Sequence, residues 1–219
     1  MLWAWERPED VRGLGNEVGV AFLAASVHLH GTETAIRLRR PPLHVDPETP
    51  LIAVVRIETD RRDAAKLTAG QRAQIAQLFT RLAPLPQVRA AQVDFDAVRS
   101  EREFYHALLT DIRQALPAQM PLSITALSSW CLGDRWLDRL PVDETVPMAF
   151  RTGSPADEAI KRTAAAGTFE SLLCNSSLGT STDEPLPPVA RRERVYVFHP
   201  HAGTPEAVAA VRREAARWR

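Results

Sequence analysis

Residues 88–97 read Val88-Arg89-Ala90-Ala91-Gln92-Val93-Asp94-Phe95-Asp96-Ala97, an apolar run of strand length that turns acidic at its carboxyl end. Side chains alternate along a strand, so Gln92, Asp94 and Asp96 share one face and Val93 and Phe95 the other. Strand rise sets the Cα atoms of Asp94 and Asp96 about 6.5 Å apart. Asp is a poor strand former, so two of them in such a run need a reason. Seven further runs read as strands: Leu2–Glu6, Gly19–Leu29, Leu51–Thr59, Leu122–Trp130, Thr145–Phe150, roughly Asn175–Thr182, and Arg194–His199. They are largely apolar rather than alternating, which suits strands buried on both faces of a parallel sheet.

Helix signals stand between many of these runs. Thr68-Ala69-Gly70-Gln71 reads as a capping box, with Ile75, Leu78, Phe79 and Leu82 following at helical spacing; Ser100-Glu101-Arg102-Glu103 reads as a second, ahead of Phe104, Leu108 and Ile112. Ser154-Pro155 and Thr204-Pro205 each place an N-cap before a proline at the first helical position, and the last helix is expected to run through Val208 and Val211 to about Trp218. Strand and helix alternating eight times predicts an α/β fold, a short (β/α)8 TIM-like barrel forming one domain over residues 1–219. Its early helices are degenerate: His30–Pro50 has no helical period, residues 10–18 allow about two turns, and residues 131–143 hold a short helix at most. A doubly wound open sheet is the alternative. No Gly-x-Gly-x-x-Gly follows the first strand, and Gly13-Leu14-Gly15 is too short and precedes a strand.

Composition narrows the partners. The chain has 219 residues, with 27 Lys+Arg against 27 Asp+Glu, so it lacks the basic surplus that drives nucleic-acid affinity or anchors a polybasic membrane patch. No run approaches the roughly 20 apolar residues of a membrane helix. Neither nucleic acid nor membrane is expected as a partner. The amino end carries no basic stretch leading into an apolar one, which predicts a cytoplasmic setting for the chain as written, or a periplasmic one if a longer precursor exists. Two cysteines, Cys131 and Cys174, are too few for a disulfide framework or a cysteine zinc site; Cys174 reads as an inert buried thiol and Cys131 as a more exposed one.

In a barrel, chemistry sits where strands end. Polar residues gather there: Trp5-Glu6-Arg7, Arg56-Ile57-Glu58, Gln92 to Asp96, Ser128-Ser129-Trp130, Met148 to Arg151, Ser181 to Glu184, and His199-Pro200-His201. Asp94 and Asp96 read either as paired acids of a site or as structural acids joined to Arg56 or another arginine. As paired acids they resist joint ionisation, so one holds a proton near neutrality, as glycoside hydrolysis requires. Glu58 reads equally as a site acid or as a partner of Arg56 or Arg151.

The alternating acids of Gln92-Val93-Asp94-Phe95-Asp96 resemble the strand-four Asp-x-Asp-x-Glu signature of the family 18 glycoside hydrolases, the chitinase-like barrels, and Met148-Ala149-Phe150 resembles their strand-six Met-x-Tyr. At those positions this chain carries an amide for the first acid, Asp96 for the glutamate, and Phe150 for the tyrosine. Over nearly its whole length the sequence is also similar to a bacterial family of unknown function. Trp3 to Asp10, Val20 to Ala24, Gln92 to Asp96, Leu122 to Leu127 and Ser181 to Pro185 carry that likeness. It implies a barrel-like fold and no particular activity.

The function expected is a glycoside hydrolase-like protein. Asp96 is its general acid, Asp94 tunes it, and Glu58 or Glu184 serves as base or stabiliser. Trp5, Glu6, Arg56, Gln92, Trp130, Met148, Arg151, Asp183 and His199 are the expected binding residues, with Trp5 and Trp130 stacking on sugar faces. The partner is a saccharide or other small polar ligand, with no cofactor and no metal. The alternative is a barrel that binds such a ligand without turnover. A metal-dependent hydrolase using Glu58, Asp94, Asp96 and His199 has too few histidines to recommend it.

Overall fold

The computed structural model describes the chain except residues 15–17, 61, 134, 151–156, 185–191, 201–204 and 217–219. Eight parallel strands form the barrel: β1 (Leu2–Ala4), β2 (Val20–His30), β3 (Leu51–Thr59), β4 (Val88–Asp94), β5 (Leu122–Leu127), β6 (Glu144–Met148), β7 (Ser177–Ser181) and β8 (Arg194–Phe198). Each pairs with the next in sequence, and β1 closes the ring by pairing with both β2 and β8. Several strands stop short of the sequence reading. Ser128–Cys131, read as the end of β5, is a 3-10 turn.

Among the described residues, four helices pack outside: α1 (Ala69–Leu82), α2 (Arg102–Ala115), α3 (Asp157–Ala166) and α4 (Pro205–Ala216). The Thr68 box is present in both directions, and the Gln71 side chain also donates to the carbonyls of Gly31 and Glu33. The second box is displaced. Glu101, not Glu103, reaches back to the Val98 amide at 2.8 Å, and a 3-10 turn over Arg99–Glu101 precedes α2. Ser154, Pro155, Thr204 and Trp218 lie outside the described residues.

The second crossover has no helix. Glu33–Leu38 returns antiparallel to the outer half of β2, and Leu43–His44 pairs with Glu9–Asp10. Among the described residues of 131–143, past the Ser128–Cys131 turn, the chain forms a 3-10 turn, Arg135–Arg139. Where a helix would cover β2, an apolar groove of about 750 Å³ lies between Phe22, Ala24, Ile36 and Leu38 and the Leu78–Leu82 face of α1.

The hydrophobic core has two parts. Most of it lies between strands and helices; a second cluster, including Trp3, Leu23, Val54, Val146, Tyr196 and Phe198, fills the barrel interior. At the amino-terminal pole Glu144 closes the interior, accepting from Arg194 Nη1 at 2.8 Å, Tyr196 Oη at 2.6 Å and Ser177 Oγ.

The cysteines overturn their reading as separate thiols. Cys131 and Cys174 form a disulfide, with Cα atoms 6.0 Å apart and both residues fully buried. One pair makes one bridge. Counting cysteines against a framework overlooked that the β5 exit and the turn before β7 meet in space.

Candidate active site at the carboxyl ends of β2 to β4

The mouth is set by register. Val54 pairs with Gln92 and Arg56 with Asp94, so the alternation that puts Val54 inside also turns Arg56, Glu58, Gln92 and Asp94 inward. A β-bulge between Leu23 and Ala25 shifts the phase of β2. Beyond it, Ser26 pairs with Arg56 and His28 with Glu58, which brings His28 to the same face.

These residues surround a cavity of about 540 Å³ lined by Arg56, Glu58, Asp94 and Asp96, with His28, Asp60 and Glu101 completing its charged wall. Arg56 Nη2 lies 3.0 Å from Glu58 Oε1, and His28 Nε2 lies 3.4 Å from Asp60 Oδ2. Glu101 accepts from Thr59 Oγ1 and from the Val98 amide, each at 2.8 Å.

Asp94 sits deeper than Asp96, which is exposed at the mouth. Thr125 Oγ1, from β5, donates to Asp94 Oδ1 at 2.6 Å. Burial pushes the Asp94 carboxyl up to about 6; the charges of Asp96 and Glu58 add to this, while the Thr125 hydrogen bond and Arg56 oppose it. Asp96 is also raised, by burial first and then by Glu58, against Arg56. Thr125 occupies one oxygen of Asp94, leaving the other free to carry a proton. Behind this wall Tyr105 of α2 packs edge-on against Phe95, with ring centroids 5.1 Å apart.

The other sequence-predicted residues lie elsewhere. Gln92 is sealed one pleat below Asp94 with no exposure, its amide nitrogen donating to Ser123 Oγ at 2.8 Å. It therefore partners Ser123 and does not line the cavity as a binding residue would. Trp130 is buried outside the strand ring, edge-on to Trp136 at 5.0 Å, and cannot be a sugar platform. The 3-10 turn after β5 carries it outward. Trp5 and Met148 pack at the upper end of the interior cluster, Trp5 tilted 6.1 Å from Phe198. Glu6 accepts from Arg37 of the returning strand at 2.8 Å. Beyond β7 and β8, Asp183 accepts from Ser181 Oγ, and His199 Nδ1 lies 2.6 Å from Thr182 Oγ1. Glu184 follows Asp183, its amide bonded to the Ser181 carbonyl at 3.3 Å. Neither Asp183 nor Glu184 lines the cavity around Asp94. Arg151 lies outside the described residues.

Residues 46–158 match a family described as a domain of unknown function, DUF3142. The chain belongs to that family. No curated protein matches it. Among solved structures it is similar to the Bacillus cereus spore cortex-lytic enzyme SleL, at 15% identity and a TM-score of 0.57, over 83% of this chain and 50% of that one. A GH18 chitinase from Pseudoalteromonas aurantia matches at 10% identity and a TM-score of 0.56, over 97% of this chain and 99% of that one. The DUF3142 chain thus spans half the length of the spore enzyme. At these identities the likeness shows the fold, a barrel, and leaves the site to be argued from its own residues.

Proposed function

We propose that this DUF3142 barrel binds a saccharide at the cavity between the β3 and β4 ends and hydrolyses a glycosidic bond there. The observation that carries the reading is the acid pair. Asp94 is shielded enough to hold a proton near pH 6, and Asp96 stands outermost beside it. The pair shares one proton because Asp94, fixed by Thr125, suppresses joint ionisation; Asp96, the outer acid, delivers it to the leaving oxygen as the glycosidic bond breaks, while a water adds to the anomeric carbon and gives its proton to Glu58. Arg56 and Glu58 orient hydroxyl groups from the adjacent strand. The likeness of the fold to a GH18 chitinase supports a sugar ligand over other polar ligands.

Binding without turnover is the second reading, favoured by one observation: Glu58, the nearest candidate base, is held by Arg56. A fully buried disulfide forms and persists in an oxidising compartment, which favours the exported setting over the cytoplasmic one.

The test is incubation of the purified protein with a panel of β-linked oligosaccharides, with products read by mass spectrometry. New reducing ends that vanish in Asp96→Asn support hydrolysis. Binding without any product in the wild type leaves the binding reading, and cleavage unaffected by Asp96→Asn rejects the assignment.

A further inference from the structure

We propose that the apolar groove beside β2 is a docking site for an amphipathic helix with acidic flanks, supplied by a partner protein. The layering of the barrel sets the shape of the occupant. A helix covers the outer face after β3 and after β4, whereas the crossover from β2 to β3, residues 31–50, has none. The outer face of β2, at Phe22 and Ala24, and the flank of α1 therefore form two walls of a trough that a helix completes in this architecture. Along α1, Gln74, Leu78 and Arg81 recur at the three- and four-residue spacing of one helix face, the wall against which a second helix packs. Apolar exposure collects at the same place. Ile36, Leu38 and Leu85, at 40%, 55% and 41% exposed, are three of the six large apolar side chains left exposed among the described residues.

Charge selects the occupant. None of the residues lining the groove is acidic, and α1 carries no Asp or Glu from Ala69 to Leu82. Arg81, exposed on the last turn of α1, has no carboxylate at ion-pair distance among the described residues. Arg39 is anchored by the carbonyl oxygens of Trp5, Arg7 and Pro41. It feels the charges of Glu9 and Glu6, but those acids are already held by Arg7 and Arg37. A twofold pairing of two such faces would set these arginines against one another with no acid between them, so a second copy does not suit the groove. A helix whose apolar side chains recur at i, i+3, i+4 and i+7, flanked by Glu or Asp, answers both the apolar floor and the basic rim.

The test is fluorescence anisotropy with a labelled synthetic peptide of about 18 residues, with Leu at i, i+3, i+4 and i+7 and Glu on both flanks, against the same peptide with Lys for Glu. At low salt the Glu peptide should bind at least about tenfold more tightly than the Lys peptide, with the gap closing as salt screens the rim. Leu38→Ser, at an exposed position, should weaken the Glu peptide at least about tenfold, and Arg81→Glu should remove the preference. Leu172→Ser, at an apolar position exposed elsewhere, should change neither. No binding of the Glu peptide, equal or tighter binding of the Lys peptide, or a preference that survives Arg81→Glu overturns the proposal. Sedimentation that finds a dimer broken by Leu38→Ser gives the groove to a second copy, and flotation with phosphatidylglycerol vesicles that is lost in Leu38→Ser gives it to a membrane. Either result overturns the proposal as well.

Discussion

Replacing Asp94 by Asn should make the protein more stable at neutral pH while disabling the site. The Asp94 carboxyl is raised from 3.8 to about 6 in the fold, so folding disfavours its charged form. A raised carboxyl adds stability that is complete below about 3.8 and is lost as pH rises through about 6. At roughly 1.4 kcal/mol per pH unit, a shift of about two units sets a ceiling near 3 kcal/mol at pH 8. Asp94 is partly open to the cavity, so screening reduces this to about 1 to 2 kcal/mol. Asn keeps the oxygen that accepts from Thr125 and carries no charge. Urea unfolding of both proteins from pH 3.5 to pH 8 is the assay. The two curves should coincide at the acid end and separate above pH 6, with the variant more stable. A variant less stable at pH 8, or a difference flat across pH, would refute the claim that burial raises this carboxyl. Stability gained together with activity lost is the usual sign of a site held at the fold's expense.

Two structural features carry further expectations. The disulfide closes a sequence separation of 43, for which chain entropy gives about 4 kcal/mol; replacing both Cys131 and Cys174 by Ala should lower the melting temperature by about 8 to 16 °C by calorimetry. A loss under 2 °C would mean that the bridge constrains little. Glu144→Ala removes the common acceptor of Arg194, Tyr196 and Ser177 and should cost about 3 kcal/mol in urea unfolding, with ligand affinity at the opposite pole unchanged. Weakened binding in a folded Glu144→Ala protein would contradict the separation of the two poles.

The barrel was legible because its strands are largely apolar runs, and a closed parallel sheet buries both faces of each. What alternation could not supply was phase across an irregularity. In Val20–His30, counting in twos from Ala21 and Leu23 predicts that Ala25, Val27 and Leu29 face inward. The bulge at Leu23/Ala25 turns them outward and delivers His28 to the mouth instead. A signal for this exists in the sequence: after Ala24-Ala25 the polar positions Ser26, His28 and His30 alternate with apolar Val27 and Leu29, opposite in phase to the first half. Trp130 failed for the complementary reason. Its run was read as strand to the end, but the ladder stops at Leu127, and a 3-10 turn has no two-residue period to preserve a face. Arg56, Glu58 and Asp94 converge because their strands keep register up to the mouth, and Asp96 follows two residues past the end of β4. Glu101 and Asp60 joined them unannounced, since both come from segments just past the strand ends, where position depends on turns rather than on any repeat. The Asp94–Thr125 contact was hidden differently: Thr125 sits in an apolar strand, Leu122 to Leu127, as one hydroxyl among methyl groups. Only the pairing of β4 with β5 gives that hydroxyl its acid. The acids were thus readable one strand at a time, whereas what fixes their protonation is made between strands.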